Sequence, residues 1–214
     1  MRLIAIDTGT LLSACVLMDT ETQLPIACVF DTNEVVREWI KNQGADEMCI
    51  EILCSYGLCG ETVFTAQLFA GIFWGMGEML GLKVTGYHRK VAVKSLAGHG
   101  NAGDSGVRNA LIERYGYFEG NKGLGTKAKP GPIHMLSNCH LQAAACVALA
   151  HIDGAKPVDL HYSSSEEKKE KDIKKKEVRA KRDAKAAAKG SVVLEGKAEV
   201  MDKFIARGRK YRNK

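Results

Sequence analysis

Apolar positions in the first 150 residues follow two rhythms, one of strand length and one of helical spacing. Residues 2–6, 11–18 and 26–30 are apolar runs with turn-forming residues between them, among them Thr8-Gly9-Thr10. Such runs predict an opening meander of three strands. Asp31 or Thr32 is placed to cap a helix over about residues 33–43, with Val35, Val36, Trp39 and Ile40 along one face. Residues 48–53 read as another buried strand, followed by a loop over 54–60. From 61 to 80 the period changes: Phe64, Leu68, Ile72, Met76 and Met79 or Leu80 recur along one stripe, predicting a long helix. Gly71, Gly75 and Gly77 interrupt it. Each costs roughly 1 kcal/mol against Ala in a helix, so close packing on a strand or a second subunit is expected there. A strand over 82–86, helices near 89–96 and 104–115 with Asp104 as a cap, a Gly/Lys/Pro loop over 116–136 and an Ala-rich helix over 138–151 complete the pattern. The order predicts a mixed α/β fold, with crossovers suited to parallel pairing after the meander.

Composition adds boundaries to this picture. The chain has 214 residues, 45% hydrophobic and 26% charged, an ordinary globular composition that argues against collagen, coiled coil and full disorder. No apolar run reaches the ~18 residues of a membrane span. The start, MRLIAID, lacks the apolar core and cleavage site of a signal peptide. Seven cysteines, an odd number at irregular spacing, read as reduced thiols rather than a disulfide framework or a zinc site. A cytoplasmic protein is therefore expected.

Charge is divided unevenly. Residues 165–214 hold 13 Lys and 5 Arg against 9 acids, a net of +9, which leaves a net of −3 in residues 1–164. Pro157 and Ser163 to Ser165 mark the join, and the expected organisation is a domain over 1–160 with a basic, helical or disordered extension over 161–214. Residues 166–189 are too rich in Lys, Glu and Ala to form a core. Met201, Phe204 and Ile205 fall at helical spacing before a run of Arg and Lys. A basic tail on an acidic body is an electrostatic footprint for nucleic acid, or else a solubilising appendage.

Three residues then stand out. Asp7 ends the first strand, Glu51 sits inside the fourth between Ile50 and Ile52, and His140 opens the last helix. A carboxylate between two apolar strand residues points to the opposite face from them and needs a partner if that face is covered. Asp7 and Glu51 on neighbouring strands suit Mg²⁺, which takes a few carboxylates together with water and phosphate oxygens. Imidazole, which as a side-chain type titrates near neutrality, suits a ligand or a group that aligns water.

These segments resemble the RNase H-like nucleases, and most closely the RuvC-type Holliday junction resolvases, particularly the compact versions of bacteriophages. The resemblance rests on residues 4–9, IAIDTG; on residues 50–57, IEILCSYG, followed by Val63-Phe64-Thr65; and on residues 89–94, RKVAVK. It continues through Gly98, residues 104–116, residues 125–131 and residues 140–150, and covers about residues 1–152. It implies an RNase H-like mixed five-stranded sheet with flanking helices, a homodimer, and Mg²⁺- or Mn²⁺-dependent cleavage of branched DNA such as four-way junctions. Carried over by position, Asp7, Glu51 and His140 are the implied catalytic metal ligands. The family's further Asp, one turn after His140, is Ala143 here, and Asp104, Asn138 or a substrate phosphate is left to fill that place. Tyr56, Arg89, Lys90, Lys94, Lys127 and Lys129 are the expected DNA-contacting residues.

Other readings stay open on sequence alone. Ala143 allows a branched-DNA binder of the same fold without catalysis. Asp7-Thr8-Gly9-Thr10 also matches the first phosphate loop of actin-like ATPases and of one-lobe scaffold proteins of tRNA modification.

Overall fold

A computed structural model describes residues 1–53, 60–158, 173 and 177–180. The chain divides into two units, residues 1–159 and 160–214. The first holds every strand named here. Of the second, residues 173 and 177–180 are described, as exposed helical residues.

Strands β1 (Arg2–Asp7), β2 (Leu12–Asp19) and β3 (Pro25–Thr32) form the expected meander, each antiparallel to the next. Helix α1 (Asn33–Lys41) follows, with the Thr32 hydroxyl accepting from the Val35 N–H at 3.4 Å. Strand β4 (Glu47–Ile52) then returns parallel to β1 on its other side. After α2 (Glu61–Met79), β5 (Lys83–His88) pairs parallel to β4. The sheet order is β3-β2-β1-β4-β5. The meander therefore lies on one side of β1 and the two crossover strands on the other, a mixed five-stranded sheet of the expected class. Helices α3 (Arg89–Ala97), α4 (Asp104–Tyr115) and α5 (Cys139–Ile152) complete the unit.

Strand alternation divides the core between the sheet's two faces. Ile4 and Ile6 with Cys15, Leu17, Met48 and Ile50 pack beside Val36 and Ile40 of α1 and Phe73 of α2. Leu3 and Ala5 with Ala14, Val16, Met18 and Cys49 pack beside α5. Helix α5 is buried at every position from Leu141 to Ala150. A helix apolar on all sides belongs inside, and its run of alanines lets it lie flat on β1, β2 and β4 while α3 and α4 cover its outer side.

Two local expectations are corrected. Most of the large residues of the α2 stripe face solvent: Phe64, Leu68, Ile72 and Met79 are exposed, while Met76 of that stripe is buried together with Ala66, Ala70, Phe73 and Gly77. The small residues Ala66, Ala70 and Gly77 are turned inward beside Phe73 and Met76, because the helix lies close to the sheet. A Cβ on Gly77 would stand 2.7 Å from Val84 Cγ2 and 3.0 Å from Met48 Sδ, whereas Gly71 and Gly75 face open space. Nor does Asp104 cap α4. Gly103 occupies the cap position, and the Asp104 carboxylate instead accepts from Arg89. Cys15, Cys28, Cys49, Cys139 and Cys146 are free thiols. Among the described residues no helix is long and apolar enough to cross a membrane.

Candidate active site

The register of the sheet places the acidic residues side by side. Ile6 pairs with Ile50, so Asp7 and Glu51 are the next residues along the parallel strands β1 and β4. Both belong to the odd-numbered face on which α5 lies. Beyond Asp7 the chain turns sharply, and a Cβ on Gly9 would collide with the Leu12 carbonyl oxygen. A buried polar network fixes this turn: Ser13 Oγ accepts from the Gly9 N–H at 3.2 Å and donates to Asn33 Oδ1 at 2.5 Å. The Asn33 side-chain amide in turn donates to the carbonyls of Gly9 and Thr10, each at 3.4 Å. The start of α1 thereby holds the turn that follows the first carboxylate.

Asp7, Glu51, Asp104, Arg89 and His140 line one cleft of about 330 Å³, together with Thr8, Gly9, Leu53, Cys139 and Ala143. His140, in the first turn of α5, has Nδ1 3.0 Å from Asp7 Oδ2. Arg89, at the start of α3, reaches Asp104 Oδ1 at 2.8 Å and Glu51 Oε2 at 3.6 Å. Glu51 is buried to 3% exposure. Burial, and then repulsion from Asp7, push its carboxyl up to about 7, against the pull of Arg89. Burial likewise raises Asp7, partly offset by the hydrogen bond from His140. Burial opposes the charge of Arg89, but Glu51, Asp7 and Asp104 together hold its guanidinium above the ordinary value.

The cleft thus gathers three carboxylates against one guanidinium, with an imidazole at its edge. Its oxygen-rich donor set suits a hard divalent cation. Thr8 also lines the cleft, and its hydroxyl is buried with no hydrogen-bond partner among the described residues. Among the described residues no three His, Cys, Asp or Glu side chains are already gathered as a metal cage. The fit is therefore to an ion held by two protein carboxylates and completed by water or phosphate, which is how Mg²⁺ is usually bound. Ala143 forms part of the wall where a further carboxylate was expected. Asn138 is committed elsewhere, its side chain capping α5 by accepting from the Leu141 N–H at 2.8 Å.

The remaining expected residues are spread more widely. Lys90 and Lys94 are exposed on α3, outside the cleft lining. Lys127 and Lys129 are exposed on the loop before α5, Lys129 lying 4.0 Å from Glu119. Tyr56 lies outside the described residues, as does the basic run after residue 205. A larger cavity of about 630 Å³, between α3 and α4, is lined by Leu96, His99, Asn109 and Glu113 among others and holds none of the expected site residues. Sequence reading passed over Ser13, Asn33 and Phe30; the last of these stacks on His140. A polar pair at 13 and 33, bracketing two strands, was the available signal for the first two.

No family model and no curated protein sequence matches the chain. Its fold does have solved counterparts. It is similar to the Thermus thermophilus RuvC structure, with a TM-score of 0.51 at 18% identity, covering 74% of this chain and 100% of that one. It is also similar to T. thermophilus RuvC in complex with Holliday junction substrate, with a TM-score of 0.53 at 19% identity, covering 74% of this chain and 99% of that one. The chain has a RuvC-like, RNase H-like fold.

Proposed function

We propose that this chain is a divalent-metal-dependent endonuclease that resolves four-way junctions, or related branched DNA, by paired hydrolysis of phosphodiester bonds. The observation that carries the reading is the pairing of Asp7 and Glu51 at neighbouring strand positions in a cleft that His140 closes from α5. The junction-bound RuvC structure of the same fold supports DNA as the substrate.

Asp7 and Glu51 would hold Mg²⁺ or Mn²⁺, with Asp104 beside them. The ion supplies a Lewis acid for the scissile phosphate and the developing charge on its oxygens. The protein's own groups have separate tasks. With the proton on Nδ1, His140 donates to Asp7 Oδ2, which leaves Nε2 as an acceptor that can orient the attacking water and take its proton. Arg89 anchors Glu51 and Asp104 and offsets part of their repulsion. Lys90, Lys94, Lys127, Lys129, Tyr56 and the basic tail would engage the DNA outside the cleft, the cations holding phosphates as point charges. Paired nicks need two active sites, and the exposed apolar stripe of α2, with Phe64, Leu68 and Met79, is the candidate surface for a homodimer.

Ala143 favours one second reading, a junction-binding protein of this fold that does not cut. A labelled synthetic four-way junction, incubated with Mg²⁺, Mn²⁺ or EDTA beside an Asp7→Asn variant, separates the two. Symmetric paired nicks that need metal and disappear in the variant are expected. Tight binding without cleavage in either metal would replace the nuclease with the binder. Neither binding nor cleavage would overturn both.

A further inference from the structure

One row of the sheet, followed across its strands, runs through the site. Asp7 of β1 pairs with Ala14 of β2, and Ala14 pairs with Phe30 of β3. On the other side of Asp7 lies Glu51, itself paired with Tyr87 of β5. Phe30 therefore stands at the level of the two carboxylates and on their face, with only the Ala14 methyl between it and Asp7. The imidazole of His140 bridges the two ends of this row, touching both Phe30 and Asp7. It lies flat on the Phe30 ring, with centroids 5.1 Å apart and planes 8° from parallel, while its Nδ1 meets Asp7. Offset stacking at such a separation is a favourable geometry for two aromatic rings.

His140 needs this support. Its side chain is 55% exposed, on the first turn of a helix. The hydrogen bond to Asp7 fixes one edge of the ring but leaves the ring free to swing about that bond. A flat partner on one face removes the swing. Edge and face together define the plane of the imidazole, and with it the direction in which Nε2 points. Packing of the protein interior does not otherwise account for Phe30, which belongs to neither buried core cluster.

We propose that Phe30 is a positioning residue for the candidate nuclease centre: its ring, laid against His140, holds the imidazole so that Nδ1 stays on Asp7 and Nε2 is presented to the cleft. The proposal rests on the nuclease reading above for its effect on rate, but not for the geometry itself. Phe30 touches no reacting group and would act only through His140.

The test compares the full-length wild type with Phe30→Leu, which keeps apolar bulk but loses the flat face, and Phe30→Tyr, which keeps the face. Thermal melts check that each variant folds. In metal-free protein, the ring-proton signals of His140, identified by their loss in His140→Gln, report the stacking directly through the ring current of Phe30. They are expected to be shifted upfield in wild type and Phe30→Tyr, and to move to exposed-imidazole positions in Phe30→Leu. Single-turnover cleavage of a saturating four-way junction with Mg²⁺ should fall about 10-fold in Phe30→Leu, within the range that a misplacement of ~1 Å can cost. Junction affinity measured in EDTA should stay unchanged, and Phe30→Tyr should restore the rate.

Wild-type signals already at exposed positions, or a Phe30→Leu rate equal to wild type, would overturn the proposal. An equal loss in the Leu and Tyr variants would overturn it too, since that marks general packing. If the wild type cuts no junction, the nuclease reading fails, and the His140 signals alone decide whether Phe30 sets the ring.

Discussion

Glu51 is a carboxylate whose burial disfavours its own charge, and its removal should stabilise the metal-free protein. Its carboxyl lies at about 7 in the fold against an ordinary 4.5. Each pH unit of that interval corresponds to ~1.4 kcal/mol, so charging Glu51 costs the metal-free fold about 3 kcal/mol. Between pH 4.5 and 7 the folded protein keeps a proton that the unfolded chain has released. Stability therefore falls as pH rises through this window and levels off above it. Asp7, also raised by burial, acts in the same direction. The cost at Glu51 is already net of the attraction of Arg89, 3.6 Å away; Glu51→Gln, which resembles the protonated acid, removes the titrating group, so about 3 kcal/mol bounds the gain.

For a chain of this size ~1 kcal/mol moves Tm by about 2–4 °C, giving an upper bound of about 6–12 °C for the variant at pH 8.5. Thermal melts in EDTA from pH 5 to 8.5, for both proteins, measure the difference between their curves and so cancel carboxylates that the two share. Glu51→Gln should match wild type near pH 5 and exceed it by 5 °C or more at pH 8.5, as a fraction of that bound. Millimolar Mg²⁺ should raise the wild-type Tm and leave the variant nearly unmoved, because a ligand stabilises only the state that binds it. A variant no more stable than wild type at pH 8.5, with a parallel pH curve, would refute the reasoning. The Arg89 attraction would then offset the burial of Glu51 in full.

Other outcomes follow from the same features. Ala143→Asp places a carboxylate in the cleft wall one turn from His140; it should lower the Mg²⁺ concentration for half-maximal junction cleavage several-fold and lower the Tm in EDTA. Gly77→Leu should destabilise by about 1–3 kcal/mol through overpacking, because Val84 and Met48 occupy the space. Gly75→Ala, facing open space on the same helix, should instead stabilise the isolated chain by up to ~1 kcal/mol, both read by chemical denaturation. Deleting residues 165–214, with their net charge of +9, should weaken junction binding and flatten its dependence on log salt by about 0.9 for each phosphate that the tail neutralises. An unchanged slope would remove the tail from the DNA interface.

Much of this molecule is legible from alternation alone. Ile50 and Ile52 on one face put Glu51 on the other, and short apolar runs around Asp7 mark it as the end of a buried strand. The α2 face was not legible, because its larger apolar residues suggest a core stripe while the close approach of helix and sheet demands Ala66, Ala70 and Gly77 inward. Size and hydrophobicity point opposite ways there, and distance decides. Arg89 follows a strand and precedes Lys90, so it reads as a phosphate ligand; only the packing of α3 beside α4 brings it between Glu51 and Asp104. Phe30 was hidden for a different reason. Its place depends on the register of two hairpins, and one residue of slip in either would have turned it to the opposite face.

The charge of the cleft has a consequence for how DNA is held. Three carboxylates face one guanidinium where the proposed function places a phosphate, and residues 1–164 carry a net of −3. Without a cation the cleft repels the backbone it is proposed to cut, and affinity must come from Lys and Arg side chains outside it. Neutralising one carboxylate should then tighten metal-free binding. A phosphate charge about 4 Å from the removed charge gains ~1 kcal/mol in water-like surroundings, about five-fold in affinity. At pH 8, above the value of about 7 for Glu51, Glu51→Gln should bind a four-way junction in EDTA more tightly than wild type. Added Ca²⁺ should close the gap by filling the wild-type cleft. Weaker or equal binding by the variant in EDTA would mean that junction DNA is held away from the carboxylates, and would separate the binding surface from the cleft assigned to cleavage.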